Sequence, residues 1–219
     1  MTEGKAPVPA EDATAKARRV WDTYAPRYDR DMRVVERLWF GDGRHWVCSR
    51  AHGDVLEVAI GTGRNLPFYP AGVSLTGVEL SPAMLAVARR RAAGLGVTAD
   101  LVEGDAQALP FPDSSFDTVV CTLSLCAIPD HQAAIGEMRR VLRPGGRLLL
   151  LDHVAGRLWL LRAMQRLAEL ATVRLAGEHL TRRPLPLLAA AGFRVEAVER
   201  LKAGTVERVA AVKPAGVQT

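Results

Sequence analysis

Stretches of branched apolar residues alternate with helix-like stretches from residue 54 to the end of the chain. An apolar run bounded by turn residues is typical of a buried strand, whereas apolar positions three or four residues apart are typical of a helix. The strand pattern occurs seven times, at residues 54–60, 73–80, 99–104, 116–125, 146–154, 193–201 and 205–213. This alternation predicts an α/β protein with a doubly wound, mostly parallel seven-stranded sheet.

The last two predicted strands are separated only by residues 202–204, which suit a hairpin turn. Parallel strands need a long crossover, so we expect one of these two strands to run antiparallel at the edge of the sheet. Helix starts are predicted between the strands at Ser81, which precedes a proline, at Asp130 and at Thr181.

The residues before position 54 predict helices that are rich in aromatic side chains. Five of the seven Trp and Tyr residues of the chain occur here. Two interpretations stay open, because such a segment can form a lid over a pocket or can use its aromatic rings to dock on the core. The expected organisation is a disordered arm at 1–15, an N-terminal helical lid at 16–52, and a core at 53–214 with a helical insertion at 156–180.

Composition narrows the class of protein. The 219 residues are 48% hydrophobic and 24% charged, which suits one globular domain. The net charge of +5 is spread along the chain without a basic block, so we expect no nucleic-acid partner. No apolar stretch predicts a membrane span or a signal peptide, and a cytoplasmic location is expected. Cys48, Cys121 and Cys126 lack the spacing of a disulfide framework or a metal site, so no metal is expected.

A glycine turn, Gly61-Thr62-Gly63, follows the first predicted strand. Glycines at this position let the backbone approach a ligand closely. The chain has no GxxxxGKS or GxxxxGKT stretch, which argues against ATP or GTP hydrolysis, and the turn lacks the third glycine of a dinucleotide fingerprint. What remains is an acidic–x–small–x–Gly–x–Gly pattern that begins with Glu57 and Ala59.

With this pattern the chain resembles the class I S-adenosylmethionine-dependent methyltransferases, in particular the ubiquinone/menaquinone-biosynthesis-like group. Further motifs of that group follow in order: GVELSPAML at 77–85, EGDAQALPFPDSSFDTVVC at 103–121 and RRVLRPGGRLLLLD at 139–152. The resemblance covers about residues 20–212. It implies a Rossmann-like methyltransferase fold, S-adenosyl-L-methionine as cofactor and S-adenosyl-L-homocysteine as product. The chain departs from the family at Ala59, where glycine is usual.

The resemblance also implies which residues bind the cofactor. Glu79, at the tip of the second strand, would accept both ribose hydroxyls, and Asp105 would lie beside the adenine amino group. The Glu57 carboxylate would suit the cationic end of the ligand. The expected cofactor-binding residues are Tyr28, Glu57, Ala59, Gly61, Gly63, Asn65, Glu79, Leu80, Met84, Asp105, Ala106, Thr122 and Leu123.

Acceptor-side candidates follow the fourth and fifth strands, because ligands lie at the carboxyl ends of the strands in doubly wound sheets. His153 ends the fifth strand and is the best candidate for a catalytic base, since histidine titrates near neutral pH. A hydrogen-bonded structural histidine is the open alternative. The expected substrate contacts are Tyr24, Cys126, Trp159 and His179, with helix packing and helix capping as the alternatives for the cysteine and the second histidine.

Residues 157–176 form a helix whose apolar arc is wider than a surface helix needs. The arc covers the sheet, an apolar substrate, a partner or a membrane surface, and these alternatives stay open. The segment 119–154 also resembles branches of the family that methylate alkyl thiols and phosphatidylethanolamine. Both features favour a bulky, apolar acceptor.

The expected function is methyl transfer from S-adenosyl-L-methionine to a thiol, amine or hydroxyl of a small apolar or lipid-like acceptor. We expect a monomer or a homodimer, and peripheral membrane contact is left open. One alternative is a protein of the same fold that binds the cofactor without methyl transfer, or that has a cyclase-like activity. Another alternative is an NAD-dependent oxidoreductase, which the missing third glycine disfavours.

Overall fold

A central seven-stranded sheet organises the protein in the computed structural model, which describes residues 12–215. The strands are β1 (Asp54–Val58), β2 (Ser74–Glu79), β3 (Asp100–Glu103), β4 (Phe116–Thr122), β5 (Leu142–His153), β6 (Arg194–Leu201) and β7 (Val206–Val212). Their spatial order is β3-β2-β1-β4-β5-β7-β6. The order reverses between β1 and β4, and ligands of doubly wound sheets bind at the carboxyl ends of the strands beside such a reversal.

The last strand runs against its neighbours. β7 pairs antiparallel with both β5 and β6, whereas the β1–β2, β1–β4, β2–β3 and β4–β5 pairs are parallel. The predicted doubly wound, mostly parallel sheet of seven strands is confirmed. Its antiparallel pairing lies at the β6 edge, with β7 inserted one place inside that edge.

Helices cover both faces of the sheet. They are α1 (Ala13–Val35), α2 (Gly43–Cys48), α3 (Pro82–Leu95), α4 (His131–Val141), α5 (Trp159–Ala176) and α6 (Pro184–Ala190). One buried cluster joins the sheet to α4 and α6, and a second joins the opposite face to α2 and α3. In β5, Leu148 and Leu150 belong to the first cluster, whereas Leu149 and Leu151 belong to the second. Residues 148–151 of this strand are all apolar because both faces of the sheet are buried there.

Two of the three predicted helix starts are confirmed. The Ser81 hydroxyl accepts a hydrogen bond from the third residue of α3, and the Asp130 carboxylate accepts two from the first turn of α4. The prediction at Thr181 is wrong, because α6 begins only at Pro184. The Thr181 amide and hydroxyl instead donate to Glu169 of α5.

The N-terminal segment is helical earlier than predicted. Residues 1–11 of the expected arm lie outside the described residues, but 13–15 form the first turn of α1, whose start Asp12 caps. α1 packs against α3 and α5 and continues into a π-helical turn, Glu36–Phe40. α1 therefore passes over the side of the sheet where the parallel strands have their carboxyl ends.

Candidate active site

A cavity lies at the carboxyl ends of β1, β2 and β4, beneath α1. α1 contributes Ala17, Trp21 and Tyr28 to its wall, and the sheet contributes the residues that follow each strand. Ten of the expected cofactor residues line it: Tyr28, Ala59, Gly61, Glu79, Leu80, Met84, Asp105, Ala106, Thr122 and Leu123. We call this space the cofactor cavity.

The two turn glycines have different tasks. Gly61 has φ +58°, and a side chain there would project into open space, so it is the glycine that keeps the cavity clear. Gly63 has φ +75°, but a Cβ on it would lie 2.8 Å from Leu66 and 3.3 Å from Ala88. Gly63 therefore does not line the cavity, and it serves the close packing of the turn against α3.

Two carboxylates face the cofactor cavity. Glu79 accepts hydrogen bonds from the backbone amides of Gly61 at 2.8 Å and Ser81 at 2.9 Å, which hold its side chain in one orientation. Burial raises the pKa of Glu79, and these amides oppose the rise. Asp105 accepts from the backbone amide and the side-chain amide of Gln107, both at 2.9 Å. Both carboxylates lie where hydroxyl or amino groups of a ligand could donate to them.

Two expected cofactor residues, Glu57 and Asn65, lie below the floor of the cavity instead of lining it. They are 1% and 0% exposed. The Asn65 amide donates to Glu57 at 2.8 Å and to Thr122 at 2.9 Å, and the Tyr69 hydroxyl donates to Glu57 at 2.7 Å. Burial raises the pKa of Glu57 to about 7, although Tyr69, Arg44 and Asn65 stabilise the charged form. Glu57 thus lies outside the lining of the cavity and supports its floor.

The most important cavity residue missed by the sequence analysis is Arg44. Its guanidinium donates to Glu36 at 2.5 Å, to Asn65 at 2.8 Å and to Thr122 at 3.1 Å. Its Nε is buried and has no hydrogen-bond partner among the described residues. A buried N–H of this kind is costly unless a ligand accepts from it. No motif marks Arg44, because it lies on the short helix α2, outside the family pattern.

The chemistry of this lining fits S-adenosyl-L-methionine. Glu79 and Asp105 offer acceptors for ribose hydroxyls and an adenine amino group, and the unpartnered Nε of Arg44 offers a donor for the methionine carboxylate. Apolar side chains of Met84 and Ile128 complete the wall for a flat base.

Hydrogen bonds and ion pairs join α1 to the core around this cavity. Asp22 accepts from the Ser81 hydroxyl at 2.6 Å and from the Ala83 amide at 3.1 Å, at the start of α3. Asp29 accepts from the Thr62 hydroxyl at 2.8 Å and also pairs with Arg64 and Arg91. The segment predicted as a lid is thus fastened over the glycine turn by its carboxylates.

A second, larger cavity of about 930 Å³ opens beside the first, and we call it the acceptor cavity. Trp21, Tyr28 and Leu123 line both spaces, so they form the boundary between them. The rings of Trp21, Tyr24 and Tyr28 lie 5.7–6.2 Å apart, centroid to centroid. The remaining apolar wall comes from Met32, Val35, Trp39, Phe40, Leu161, Leu180 and Val206.

His153 lines the acceptor cavity at the tip of β5. Its Nδ1 lies 3.4 Å from Asp152, while its buried Nε2 has no hydrogen-bond partner among the described residues. Glu178 lines the same cavity, and burial raises the pKa of this carboxyl, opposed by the nearby His153. The ligating atoms of Cys126, Asp152 and His153 lie within 4.8 Å of one another, so this cluster is also able to hold a cation.

Three of the expected substrate contacts do not reach the acceptor cavity. Trp159 is 74% exposed on the outside of α5. Cys126 is 1% exposed, and burial raises the pKa of its thiol well above the usual range. His179 is partly buried outside the lining, and its backbone amide donates to the Cys126 carbonyl at 2.9 Å. Tyr24 and His153 are the acceptor-side candidates that the structure brings together.

Comparisons with known proteins agree with this geometry. Residues 56–150 match the family model of a methyltransferase domain. A demethylmenaquinone methyltransferase of Thermus thermophilus is 38% identical over 138 residues, 58% of this chain and 61% of that protein. A phosphatidylethanolamine N-methyltransferase of Cereibacter sphaeroides is 41% identical over 105 residues, 47% of this chain and 52% of that protein. The chain thus matches less than two thirds of the length of these relatives.

A solved structure shows the same fold at low sequence identity. The cyclase SpnF superposes with a TM-score of 0.73 and 19% identity, covering 97% of this chain and 100% of that chain. Residues 56–150 thus match a methyltransferase domain, and the strand order and the lining of the cofactor cavity make the chain similar to S-adenosyl-L-methionine-dependent methyltransferases, with a demethylmenaquinone methyltransferase among its relatives.

Proposed function

We propose that this protein transfers a methyl group from S-adenosyl-L-methionine to a nucleophilic thiol, amine or hydroxyl of an apolar, lipid-like acceptor. The observation that carries the proposal is the junction of the two cavities. The cofactor cavity meets a largely apolar cavity of about 930 Å³ at Trp21, Tyr28 and Leu123, and His153 lies in the second space.

Methyl transfer needs close, in-line placement of the two reactants and exclusion of water. Bound S-adenosyl-L-methionine supplies an activated methyl group on a sulfonium. Glu79, Asp105 and Arg44 would hold its ribose, base and carboxylate ends. α1 closes the cavity above them, so these residues fix the donor while the aromatic side chains of α1 keep water away from the junction.

His153 would remove the proton that a thiol, ammonium or hydroxyl acceptor must lose. Its Nε2 is unpartnered, and its Nδ1 faces Asp152. Asp152, 3.4 Å from Nδ1, would hold the ring in this orientation while Nε2 takes the proton. A histidine beside a carboxylate at a cavity wall can act as a general base.

A quinone-like acceptor is the second candidate. The relative from Thermus thermophilus is named a demethylmenaquinone methyltransferase, and the aromatic group of Trp21, Tyr24 and Tyr28 would suit a flat ring. In that case the acceptor would be the reduced quinol: its ring carbon beside a hydroxyl would take the methyl group as His153 takes the proton of that hydroxyl, and the hydrogen on the ring carbon would then move to the resulting carbonyl oxygen and restore the aromatic ring. A protein that binds the cofactor without methyl transfer, or that acts as a cyclase, is the remaining alternative.

The test combines binding and turnover. We expect calorimetry to detect S-adenosyl-L-homocysteine binding and no NADH binding. We expect methyl transfer from labelled donor to at least one member of a panel of long-chain thiols, amines, phenols and quinols. Binding of the product without transfer to any member would favour the noncatalytic alternative.

The variant His153→Gln should lower kcat roughly 100-fold, since a general base contributes on that scale, and should leave S-adenosyl-L-homocysteine affinity unchanged. Its residual rate should rise with pH, because the acceptor must then lose its proton to water. The matched control is His179→Gln, which changes a histidine outside the cavity and should keep full activity.

Two results would contradict the role of His153. One is an unchanged kcat in His153→Gln. The other is loss of wild-type activity on treatment with a chelator and its return with added metal, which would assign Cys126, Asp152 and His153 to cation binding.

A further inference from the structure

α5 is oriented with Gln165 and Glu169 toward the protein. The Gln165 side chain accepts from the Gly156 amide at 2.8 Å and donates to the Val154 carbonyl at 2.9 Å. Glu169 accepts from Thr181 at 2.7 Å and 2.9 Å. These hydrogen bonds pair backbone groups of the segments before and after α5. The face of the helix that carries Gln165 and Glu169 is therefore held inward.

The apolar face of α5 consequently faces outward. Leu167 is 70% exposed and Leu170 is 63% exposed. A surface helix ordinarily has the opposite orientation, with its apolar stripe against the core. The exposed apolar residues of this face are Trp159, Leu160, Met164, Leu167 and Leu170.

A second exposed apolar group lies on α1 and the turn that follows it. At the end of α1 and in the π-helical turn, Val34, Leu38 and Trp39 are 62%, 61% and 47% exposed. Trp39 lines the acceptor cavity, and so does Leu161 of α5. We name the two exposed groups together the rim surface, because each lies on a segment that also contributes a residue to the lining of this cavity.

The rim surface carries a local excess of positive charge. Residues 27–40 and 157–174 contain eight arginines and four acidic residues. The acidic side chains are engaged: Asp29 and Glu36 pair with core arginines, Asp31 pairs with Arg30, and Glu169 binds Thr181. In the described part of the chain, the arginines 33, 37, 166 and 174 have no ion-pair partner.

We propose that the rim surface docks on an anionic lipid bilayer, and that the acceptor enters the cavity from that bilayer. Exposed Trp and Leu side chains flanked by arginines are the composition of a helix that lies in a membrane interface. The free arginines complement anionic headgroups. No helix within residues 12–215 is long and apolar enough to cross a bilayer, so the contact is peripheral.

The test is cosedimentation of the intact protein with phosphatidylcholine vesicles, with and without phosphatidylglycerol. The protein should bind the vesicles that contain phosphatidylglycerol, bind neutral vesicles weakly, and be released from the anionic vesicles by salt. Absence of binding to the anionic vesicles would overturn the proposal.

Two double variants and one single control define the surface. Leu167→Ser with Leu170→Ser should weaken vesicle binding roughly tenfold or more, because it removes apolar groups from the outer face of α5. Arg166→Ser with Arg174→Ser should weaken binding to anionic vesicles roughly tenfold and leave neutral vesicles unaffected. The control Leu95→Ser changes a leucine that is 47% exposed at the far end of α3 and should bind like wild type.

Two results with these variants would contradict the docking proposal. Equal vesicle binding by wild type and the double leucine variant would overturn the proposal. So would a wild-type dimer that the same double substitution converts to a monomer, since a second copy would then cover the surface. Circular dichroism and S-adenosyl-L-homocysteine binding, both expected to be unchanged, show that each variant is folded.

The proposal depends on the proposed function only for what enters the cavity, and the two fail separately. Vesicle binding is measured without cofactor or acceptor. Vesicle binding with no methyl transfer to any acceptor would support the docking surface and contradict the proposed function. Methyl transfer to dispersed acceptors without vesicle binding would do the reverse.

Discussion

At the scale of single residues, the cavity is built partly from strained backbone. Ala59 and Leu123 have φ values of +53° and +54°, in the left-handed region that favours glycine. Both residues line the cofactor cavity, and Leu123 also lines the acceptor cavity. Strain of about 1 kcal/mol or more per residue persists where the surrounding structure holds it, often at functional sites. Alanine at position 59, where glycine is usual in the family, therefore adds backbone strain as well as a methyl group.

Substitutions at Ala59 should separate the effect of backbone strain from the effect of side-chain volume in the cofactor cavity. Ala59→Gly relieves about 1 kcal/mol of strain but makes the unfolded chain more flexible by a similar amount, so its unfolding free energy should stay within about 1 kcal/mol of wild type. Ala59→Val should lose about 2 kcal/mol or more, because a β-branched residue fits this φ poorly, and should weaken S-adenosyl-L-homocysteine binding. Urea denaturation and calorimetry measure both effects. A valine variant with wild-type stability would refute the argument.

At the scale of elements, α1 is fastened over the cofactor cavity by polar contacts. Asp29 illustrates this, because it bonds to Thr62 in the glycine turn, to Arg64 beyond it and to Arg91 of α3. Burial alone would raise the pKa of Asp29, but the Thr62 hydrogen bond and the two arginines outweigh it and lower the pKa. The cofactor must pass α1, so these contacts should control its exchange.

The variant Asp29→Asn should loosen α1 without disturbing the core. Charge-assisted contacts at a partly exposed site contribute about 1 kcal/mol, so S-adenosyl-L-homocysteine should dissociate roughly fivefold faster. Stopped-flow measurement of the dissociation rate tests this. Asp31→Asn is the matched control, because Asp31 pairs with Arg30 on the same helix and should leave the rate unchanged. Equal rates for both variants would contradict the role of Asp29.

At the scale of the whole molecule, the buried carboxyl of Glu57 makes stability depend on pH. Its pKa is raised from 4.5 to about 7, so the folded state binds more protons than the unfolded state between these values. The free energy of unfolding should therefore fall as pH rises through this window. For Glu57 alone the fall is on the order of 3 kcal/mol.

The variant Glu57→Gln should lose this part of the pH dependence. Denaturant titrations of ligand-free protein at pH 4.5 and at pH 7 should show a smaller fall in stability for the variant than for wild type. The difference between the two proteins isolates Glu57 from other buried carboxyls such as Asp152. Parallel pH profiles would show that Glu57 is ionised at no cost in the folded protein.

The sequence predicted the part of the site that is attached to strand ends. Gly61, Glu79 and Asp105 each follow a strand that has its own apolar run, so chain position alone predicts that they meet at one edge of the sheet. It missed Arg44, which is 78 residues from its partner Thr122 and belongs to no local pattern. It also placed Trp159 in the acceptor site, because helical periodicity groups residues on a face without stating where that face points.

What the sequence by itself determined was the order of strands and helices, the glycine turn and the carboxylate that follows β2, since these depend on residue spacing along the chain. Only the tertiary structure decided which face of α5 lies inward. Gln165 and Glu169 find backbone and side-chain partners from other segments, and those hydrogen bonds turn the apolar face outward. The tertiary structure also brought Arg44 into the cofactor cavity, because contacts between distant segments exist only in the folded chain.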